Sequence, residues 1–343
     1  MKVPTVNRRE FTQALCASAA VVVARRAAAA DAPAVRINLG TLAPRGSSYF
    51  EGLQAMGDQW RALGVRLVIY PDGTQGSEAD MVRLMRVGTL QACLLTATGL
   101  AEIDPAVNVL QAYPLLFRDF DEFGYVLKHM EPMLNSRLEK QGFMPLFWGD
   151  AGWLRYFFKE RVSTIAQLRE TKVFLWSVAT EQQRIMREMG WHPVPLETAD
   201  IMQALATGQI TGVSTPPIVA LVSQFEKRVP YMVDLNYAPL VGACVIRRET
   251  WDKLSSAQHD AMLRIAADTG AEIVRRTRLE SDQAVKKMQS QGLTVYSVSP
   301  EQRALWQAEA DNFQARARGR VVPADLHDQI FRLLAEYRSG NHT

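Results

Sequence analysis

The sequence predicts an α/β protein of two lobes with similar design, with a ligand cleft between them and one long helix that bridges both. The order strand, turn, short helix, glycine, strand occurs in "VRLVIYPDGTQGSEADMVRLMRVGTLQACLLT" and again in "WHPVPLETADIMQALATGQITGVSTPP". This alternation favours mostly parallel sheets, in which ligands lie beyond the carboxyl ends of the strands. Residues 249–291 keep one helical pattern, which predicts the bridging helix. With 343 residues, the chain is long enough for two cores.

The elements of the first lobe follow from their apolar spacing. The segment "VRINLGT" alternates as a strand does, and the next segment predicts a helix whose apolar stripe includes Met56 and Trp60. After the strand "VRLVIYP", Ser77 begins a helix, with Asp80 in the position of a capping box. Gly88 ends that helix, and the strand "LQACLLT" follows at once.

The second lobe contains the segment "KVFLWSVAT", residues 172–180. It predicts a buried strand that leads into a helix, with Ser177 and Thr180 as candidate caps. A further helix in "ADIMQALATG" carries an apolar stripe and ends at a glycine. After the bridging helix, "SPEQRALWQAEADNFQARARG" and "PADLHDQIFRLLAEYRS" predict two more helices.

The first thirty residues predict an export signal of the twin-arginine type. Arg8 and Arg9 precede an uncharged run over residues 14–24, which is too short to span a bilayer. The segment "AAAADA" offers small residues for cleavage near Ala30. An ordinary secretory signal with a chance arginine pair is the alternative. Either signal predicts a periplasmic protein whose fold begins near residue 34.

The net charge and the cysteines indicate which partners and which disulfides are expected. Residues 1–30 hold five basic side chains and one acidic one, so the formal charge of +3 for the whole chain leaves −1 for the remainder. This gives no electrostatic case for nucleic acid as a partner. Cys16 leaves with the signal, and Cys93 and Cys244 lie in apolar strands. One disulfide is conceivable in an oxidising compartment, but two buried thiols are expected.

No catalytic constellation stands out. The five histidines lack paired ligand spacing, and GxSxG, P-loop and GxGxxG motifs are absent from the sequence. We therefore expect a binding protein that needs no metal or cofactor, with a periplasmic enzyme as an alternative. Aromatic residues instead gather near predicted strand ends, where they either pack in a core or line a ligand site. They are Tyr49, Phe117, Trp148, Trp153, Phe174, Trp176 and Tyr237.

Several short motifs occur in a distinctive order along the chain. They are "YPDGTQGSEADMVRLMRVGTLQA", "YPLLFRDFDEF", "FWGDAGWLRYFF", "STIAQLRETKV", "GWHPVPL", "ALATGQITGV" and "WDKLSSAQ". In this order they resemble the solute receptors of tripartite ATP-independent periplasmic (TRAP) transporters, of the dicarboxylate-receptor type. The resemblance covers nearly the whole chain after the signal. It implies the two-lobe periplasmic binding protein fold, which closes on its ligand about a hinge.

The resemblance also implies ligand contacts at four positions of the second lobe. The family's arginine in "K-I-R" falls on Phe174, and its asparagine in "G-x-x-N-P" falls on Thr215. A family histidine falls on Tyr237, whereas a second family arginine is retained as Arg155 in "GWLR". Phe174 thus replaces a guanidinium group that would bind a carboxylate through two parallel hydrogen bonds.

We expect Phe174 and Trp176 to line the cleft together, because residues i and i+2 share one side of a strand. The alternative is that Phe174 turns into the core of its lobe. Arg155 is left to hold an acid group, which predicts a monocarboxylate with an apolar or aromatic body, narrowly ahead of a neutral ligand. Further contacts are expected from the crossover between the lobes and from lobe one. They are Trp153, Tyr49, Thr96 and Phe117.

Together these patterns predict a periplasmic receptor that delivers a small organic ligand to the membrane subunits of a TRAP permease. The alternative is a carrier of a lipid-like ligand that works with a helical-repeat partner protein in the periplasm. Lobe one is predicted to contain residues 34–153 and about 243–279, and lobe two residues 154–242 and about 280–339.

Overall fold

The structure is a computed structural model that describes residues 35–340. The predicted export signal and its cleavage site near Ala30 lie outside the described residues. Within residues 35–340, every helix is either too short or too polar to cross a membrane.

The first part of the described chain alternates strands and helices, as its sequence pattern predicts. The elements are β1 Val35–Thr41, α1 Ser48–Arg61, β2 Val65–Tyr70, α2 Glu78–Arg86, β3 Ala92–Thr96, α3 Ala97–Leu100, a 3-10 helix Pro105–Leu110, α4 Phe120–Lys140 and β4 Phe143–Phe158. The apolar stripe of α1 is buried, with Met56 and Trp60 fully covered.

The second part repeats the alternation and ends in helices. Its elements up to the long helix are α5 Ile165–Glu170, β5 Lys172–Trp176, α6 Thr180–Glu188, β6 His192–Leu196, α7 Ile201–Thr207, β7 Gly212–Thr215, α8 Pro217–Val222, β8 Tyr231–Val233, β9 Ala238–Arg247 and α9 Arg248–Trp251. The remaining elements are α10 Ser256–Ser290, β10 Thr294–Tyr296, α11 Pro300–Ala317 and α12 Ala324–Arg338. Two short 3-10 helices, Thr198–Asp200 and Phe225–Lys227, lie within this part.

Side-chain caps explain some helix ends and not others. Ser77 caps α2 and forms the predicted capping box with Asp80. The caps predicted for α6 are wrong, because Thr180 is already helical and no side chain caps its first turn. The Ser177 hydroxyl bonds elsewhere, and the amide of Gln183 donates to the carbonyl oxygens of residues 176 and 177 at 3.1 and 3.0 Å. Those bonds fix the turn between β5 and α6.

One continuous sheet joins the two parts in the order β2-β1-β3-β9-β4-β7-β5-β6, with β8 and β10 as a branch. The sixteen-residue strand β4 makes the connection. Its first three quarters, through Leu154, pair with β9, and residues 155–158 pair with β7 and β8. The outer strands pair in parallel, whereas β9 and β4 at the centre run antiparallel to their neighbours. The sheet is therefore mixed and less uniformly parallel than the sequence predicts.

The bridging helix is confirmed as α10, which has 35 residues and so extends about 52 Å. It begins at a capping box made by Ser255 and Gln258. It packs against α1, β4 and α8, so that it contacts elements of both parts of the chain. Gly270 allows close packing here, because a Cβ at this position would lie 2.6 Å from the ring of Phe147.

The packing of the last helix bears on the division into lobes. The prediction assigns residues 280–339 to lobe two, but α12 packs against α4 of the first part. The guanidinium of Arg338 donates to the buried carboxylate of Glu122 at 2.6 Å. The predicted lobe boundaries stay a prediction. Cys93 and Cys244 are free and buried on the neighbouring strands β3 and β9, as two thiols.

Candidate ligand-binding cavity

A cavity of about 430 Å³ lies where the two parts of the sheet meet. Strands from both parts end there, and the terminal residues Thr41, Thr96, Trp176 and Thr215 of β1, β3, β5 and β7 all line it. The start of α1, the middle of β9, the helices α7 and α8 and one face of α10 complete the wall. This is the place at which parallel strands present ligand sites, beyond their carboxyl ends.

The structure brings five of the predicted site residues together around this cavity. They are Tyr49 and Thr96 from the first part of the chain and Phe174, Trp176 and Thr215 from the second. Their elements are far apart in the sequence, so it is the sheet order that gathers them.

Phe174 both lines the cavity and packs in a core. Its ring meets that of Trp176 edge to face, with 5.3 Å between the ring centroids. The same ring belongs to the apolar cluster that contains Ile201 and Phe225, two residues that also line the cavity. Only 5% of Phe174 is exposed, whereas Trp176 is half-buried. The sequence left open whether Phe174 lines the cleft or packs in the core, and in the structure it does both.

A buried carboxyl group holds Thr96 in place. The backbone N–H and the hydroxyl of Thr96 both donate to Glu78, each at 2.6 Å. Burial raises the pKa of Glu78 to about 6, and the hydrogen bonds from Thr96 oppose this rise. Gly99 makes room for the carboxyl group, because a Cβ there would lie 2.6 Å from Glu78 Cδ.

Tyr49 presents a neutral phenol at the cavity. Burial raises its pKa well above the usual value, and the nearby carboxylate of Asp150 adds to the rise. A Cβ on Gly149 would lie 3.4 Å from the Tyr49 hydroxyl, so the strand β4 passes close behind it. The phenol can therefore serve as a hydrogen-bond donor or acceptor but not as an anion at neutral pH.

Arg155, the residue expected to hold an acid group, does not line the cavity. It lies on β4 opposite Thr215 of β7. Its guanidinium turns away toward the loop after β8 and donates to Asp234 at 2.5 Å. Asp234 is 79 residues away in sequence, so this pairing is set by the fold.

The other three predicted residues also lie outside the cavity wall. Trp153 stacks on Phe120 at 4.6 Å between ring centroids. Phe117 packs edge to face on Phe123 within the largest apolar cluster. Tyr237 packs on Tyr156, with burial as the main cause that raises its pKa. All three stabilise the surrounding core in this structure.

The sequence profile of the family "Bacterial extracellular solute-binding protein, family 7", called DctP, matches residues 39–318. The chain belongs to this family. Its members are solute receptors of TRAP transporters and not enzymes, which confirms the prediction of a binding protein. A curated relative is the C4-dicarboxylate-binding periplasmic protein DctP of Rhodobacter capsulatus. It is 21% identical over 268 residues, which are 77% of this chain and 78% of the relative.

Solved structures show the same two-lobe fold. A TRAP periplasmic solute-binding protein from Xanthobacter autotrophicus Py2 with bound β-D-galacturonate superposes with a TM-score of 0.79. It is 17% identical, and the match covers 87% of this receptor and 99% of that chain. A second, from Sulfurospirillum deleyianum DSM 6946 with bound succinate, also has a TM-score of 0.79, at 16% identity and with 88% and 100% coverage. These relatives give no support to a helical-repeat partner.

The sequence analysis missed the polar residues that the receptor's long helix brings to the cavity. Glu280 and Thr277 line it from α10, and Ser48 lines it from the first turn of α1. In the sequence Glu280 is one of many charges in "VRRTRLESDQ", a pattern typical of a solvated helix face. One pattern in the sequence could have indicated the buried face of α10. Small residues recur there at helical spacing, and all four are buried: Thr269, Thr277, Ser281 and Ala284.

Two hydroxyl groups of the wall are left without a partner. Among the described residues, Ser214 Oγ and Thr277 Oγ1 are buried and accept or donate no hydrogen bond. Buried polar groups are rarely left in this state. No group of three or more potential metal ligands is present within residues 35–340.

Proposed function

We propose that this TRAP receptor binds a small organic solute with an apolar body in the cavity, by closure of its two lobes, and delivers it to the membrane permease. Export and cleavage near Ala30 would place it in the periplasm. The proposed lobes are those predicted from the sequence, with α12 packed on lobe one.

The observation that supports the proposal is the aromatic and aliphatic wall of the cavity. Phe174 stands where the resemblance implies a carboxylate-binding arginine, and Trp176, Ile201, Leu240 and Val241 line the same cavity. A volume of about 430 Å³ lies within the range of small-molecule pockets. Each 100 Å² of apolar ligand surface buried against such a wall contributes about 2.5 kcal/mol.

A carboxylate end group, expected for the ligand on the basis of Arg155, has weaker support. The related structures were solved with galacturonate and succinate, which are both carboxylates. In this receptor, however, Arg155 is engaged by Asp234 and lies outside the wall. The proposal therefore rests on the apolar body of the ligand.

A titration with one neutral aromatic probe tests this proposal. Binding of 3-phenylpropan-1-ol, followed by calorimetry, is expected in the millimolar range or tighter, and Trp176→Ala is expected to weaken it about tenfold. Trp191→Ala is the matched control, because Trp191 is a half-buried tryptophan of the same part of the fold that lies outside the cavity. Native mass spectrometry of the purified receptor gives the mass of any solute retained from the cell.

The proposal fails if the probe does not bind, or if Trp176→Ala and Trp191→Ala change its affinity equally. Tighter binding of succinate than of the aromatic probe would also contradict it, because a short dicarboxylate offers no apolar body.

A further inference from the structure

The electrostatic character of the cavity depends on one side chain. Among the described residues that line it, Glu280 alone carries a formal charge, and no arginine, lysine or histidine is present. Its side chain is 29% exposed. In an apolar setting the electric field of one carboxylate is poorly screened. The carboxylate of Glu280 therefore determines which sign of charge on a ligand is favoured.

The charge of Glu280 is only partly compensated. Arg276 approaches it at 3.5 Å, but the same guanidinium lies 2.7 Å from Glu51. Two carboxylates thus share one cation, which leaves a net charge of −1 beside the cavity. Other charged pairs near this end of α10, such as Arg278 with Asp150, are internally neutral.

The carboxylate of Glu280 also retains hydrogen-bonding capacity. Both of its oxygens lie 2.5 Å from Ser48 Oγ, a hydroxyl that has one proton to give. A carboxylate has about four acceptor positions, so the one proton of Ser48 and the contact with Arg276 at 3.5 Å leave it able to accept from a ligand. Ser48 is buried and holds the carboxylate in one orientation at the wall.

We propose that this cavity selects a solute whose polar end is a hydrogen-bond donor, above all an ammonium group, and that Glu280 is the residue that determines this specificity. The inference rests on the proposed function, since it assigns the head group to the apolar body argued there. The rings of Tyr49 and Trp176 can add cation–π attraction to the same group.

Three ligands that share one body test the inference. They are 3-phenylpropylamine, 3-phenylpropan-1-ol and 3-phenylpropanoate, each titrated into the exported receptor by calorimetry at pH 7 and low salt. The amine is expected to bind at least about tenfold more tightly than the carboxylate, with the alcohol between them. Glu280→Gln is expected to weaken the amine about tenfold, to change the alcohol less than about threefold, and so to remove the preference.

Glu272→Gln is the matched control. Glu272 pairs with Arg275 on the same helix and lies outside the cavity wall, so its loss should leave the order of the three ligands unchanged. The inference alone is overturned if the alcohol binds in a way that depends on Trp176 while the carboxylate binds as tightly as the amine. It is also overturned if Glu280→Gln leaves the ratio of amine to carboxylate affinity intact. If none of the three ligands binds, the proposed function and the inference both fail. Should Glu280→Gln not fold, the order of affinities of the native receptor decides the question.

Discussion

At the scale of single residues, the wall of the cavity is supported by buried groups that do not face the ligand themselves. Glu78 shows this most clearly, because its carboxyl group fixes Thr96, the last residue of β3. Its pKa is raised by burial from 4.5 to about 6. The folded protein therefore keeps a proton on Glu78 at a pH at which the unfolded chain has lost it.

This difference predicts how stability changes with pH. Between pH 4.5 and 6 the folded state binds more protons than the unfolded state, so the contribution of Glu78 to stability falls as pH rises. The shift corresponds to about 2 kcal/mol. We expect Glu78→Gln to gain about that much stability relative to the native protein between pH 4 and pH 7, measured by urea unfolding. The exposed Glu102→Gln is the control, and an equal pH dependence of both variants would contradict the assignment.

The two thiols give a second prediction at this scale. Cys93 and Cys244 are buried, and burial raises the pKa of the Cys93 thiol to about 12. Since the thiolate is the reactive form, neither should react with a disulfide reagent at pH 8 in the folded protein. Titration of the unfolded protein in denaturant should then detect both thiols. Rapid reaction of the native protein at the rate of an exposed thiol would show that this part of the sheet opens readily.

At the scale of elements, the approach of β9 to β3 shapes the cavity floor. Gly242 lies between Thr96 of β3 and Gly149 of β4. A Cβ at Gly242 would lie 2.4 Å from the backbone oxygen of Leu95, so no side chain fits without moving a strand. Leu95, Thr96 and Gly242 all line the cavity, and a shift here reaches the ligand site directly.

We therefore expect Gly242→Ala to lower the free energy of unfolding by about 1–3 kcal/mol, the usual result of overpacking. The affinity for 3-phenylpropan-1-ol should fall as well, because the cavity floor moves. Gly124→Ala in α4 is the matched control: nothing lies within 4 Å of its added methyl group, and alanine favours a helix. Denaturant unfolding and calorimetry of both variants check the expectation, and equal stability of the two would contradict it.

The sequence predicted elements better than it predicted contacts. Periodicity located α10 and the strand that carries Phe174 and Trp176, and side-chain direction in a strand follows from position alone. The partner of Arg155 could not be predicted, since Asp234 reaches it only through the pairing of β4 with β8. Glu280 could not be distinguished from neighbouring charges until the packing of α10 was known.

At the scale of the whole molecule, the cavity belongs to neither part of the sheet alone. Its wall combines the ends of β1 and β3 with those of β5 and β7, and α10 contacts both parts. A ligand that touches both walls binds the closed arrangement better than an open one, and so shifts the population toward closure. We expect the bulge in β4 between Asp150 and Trp153, with Gly152 at a φ of +87°, to absorb such a movement.

Saturation with 3-phenylpropylamine should therefore make the receptor both more compact and more stable. At a ligand concentration of 100 times Kd, the free energy of unfolding should rise by about 2.7 kcal/mol. Small-angle X-ray scattering should show a smaller radius of gyration for the same sample. Trp176→Ala at the same ligand concentration is the control: with a Kd about tenfold higher, its free energy of unfolding should rise by only about 1.4 kcal/mol. Binding by calorimetry without any change in scattering would mean that the ligand enters a cavity that is already closed, and the hinge at Gly152 would then have no part in recognition.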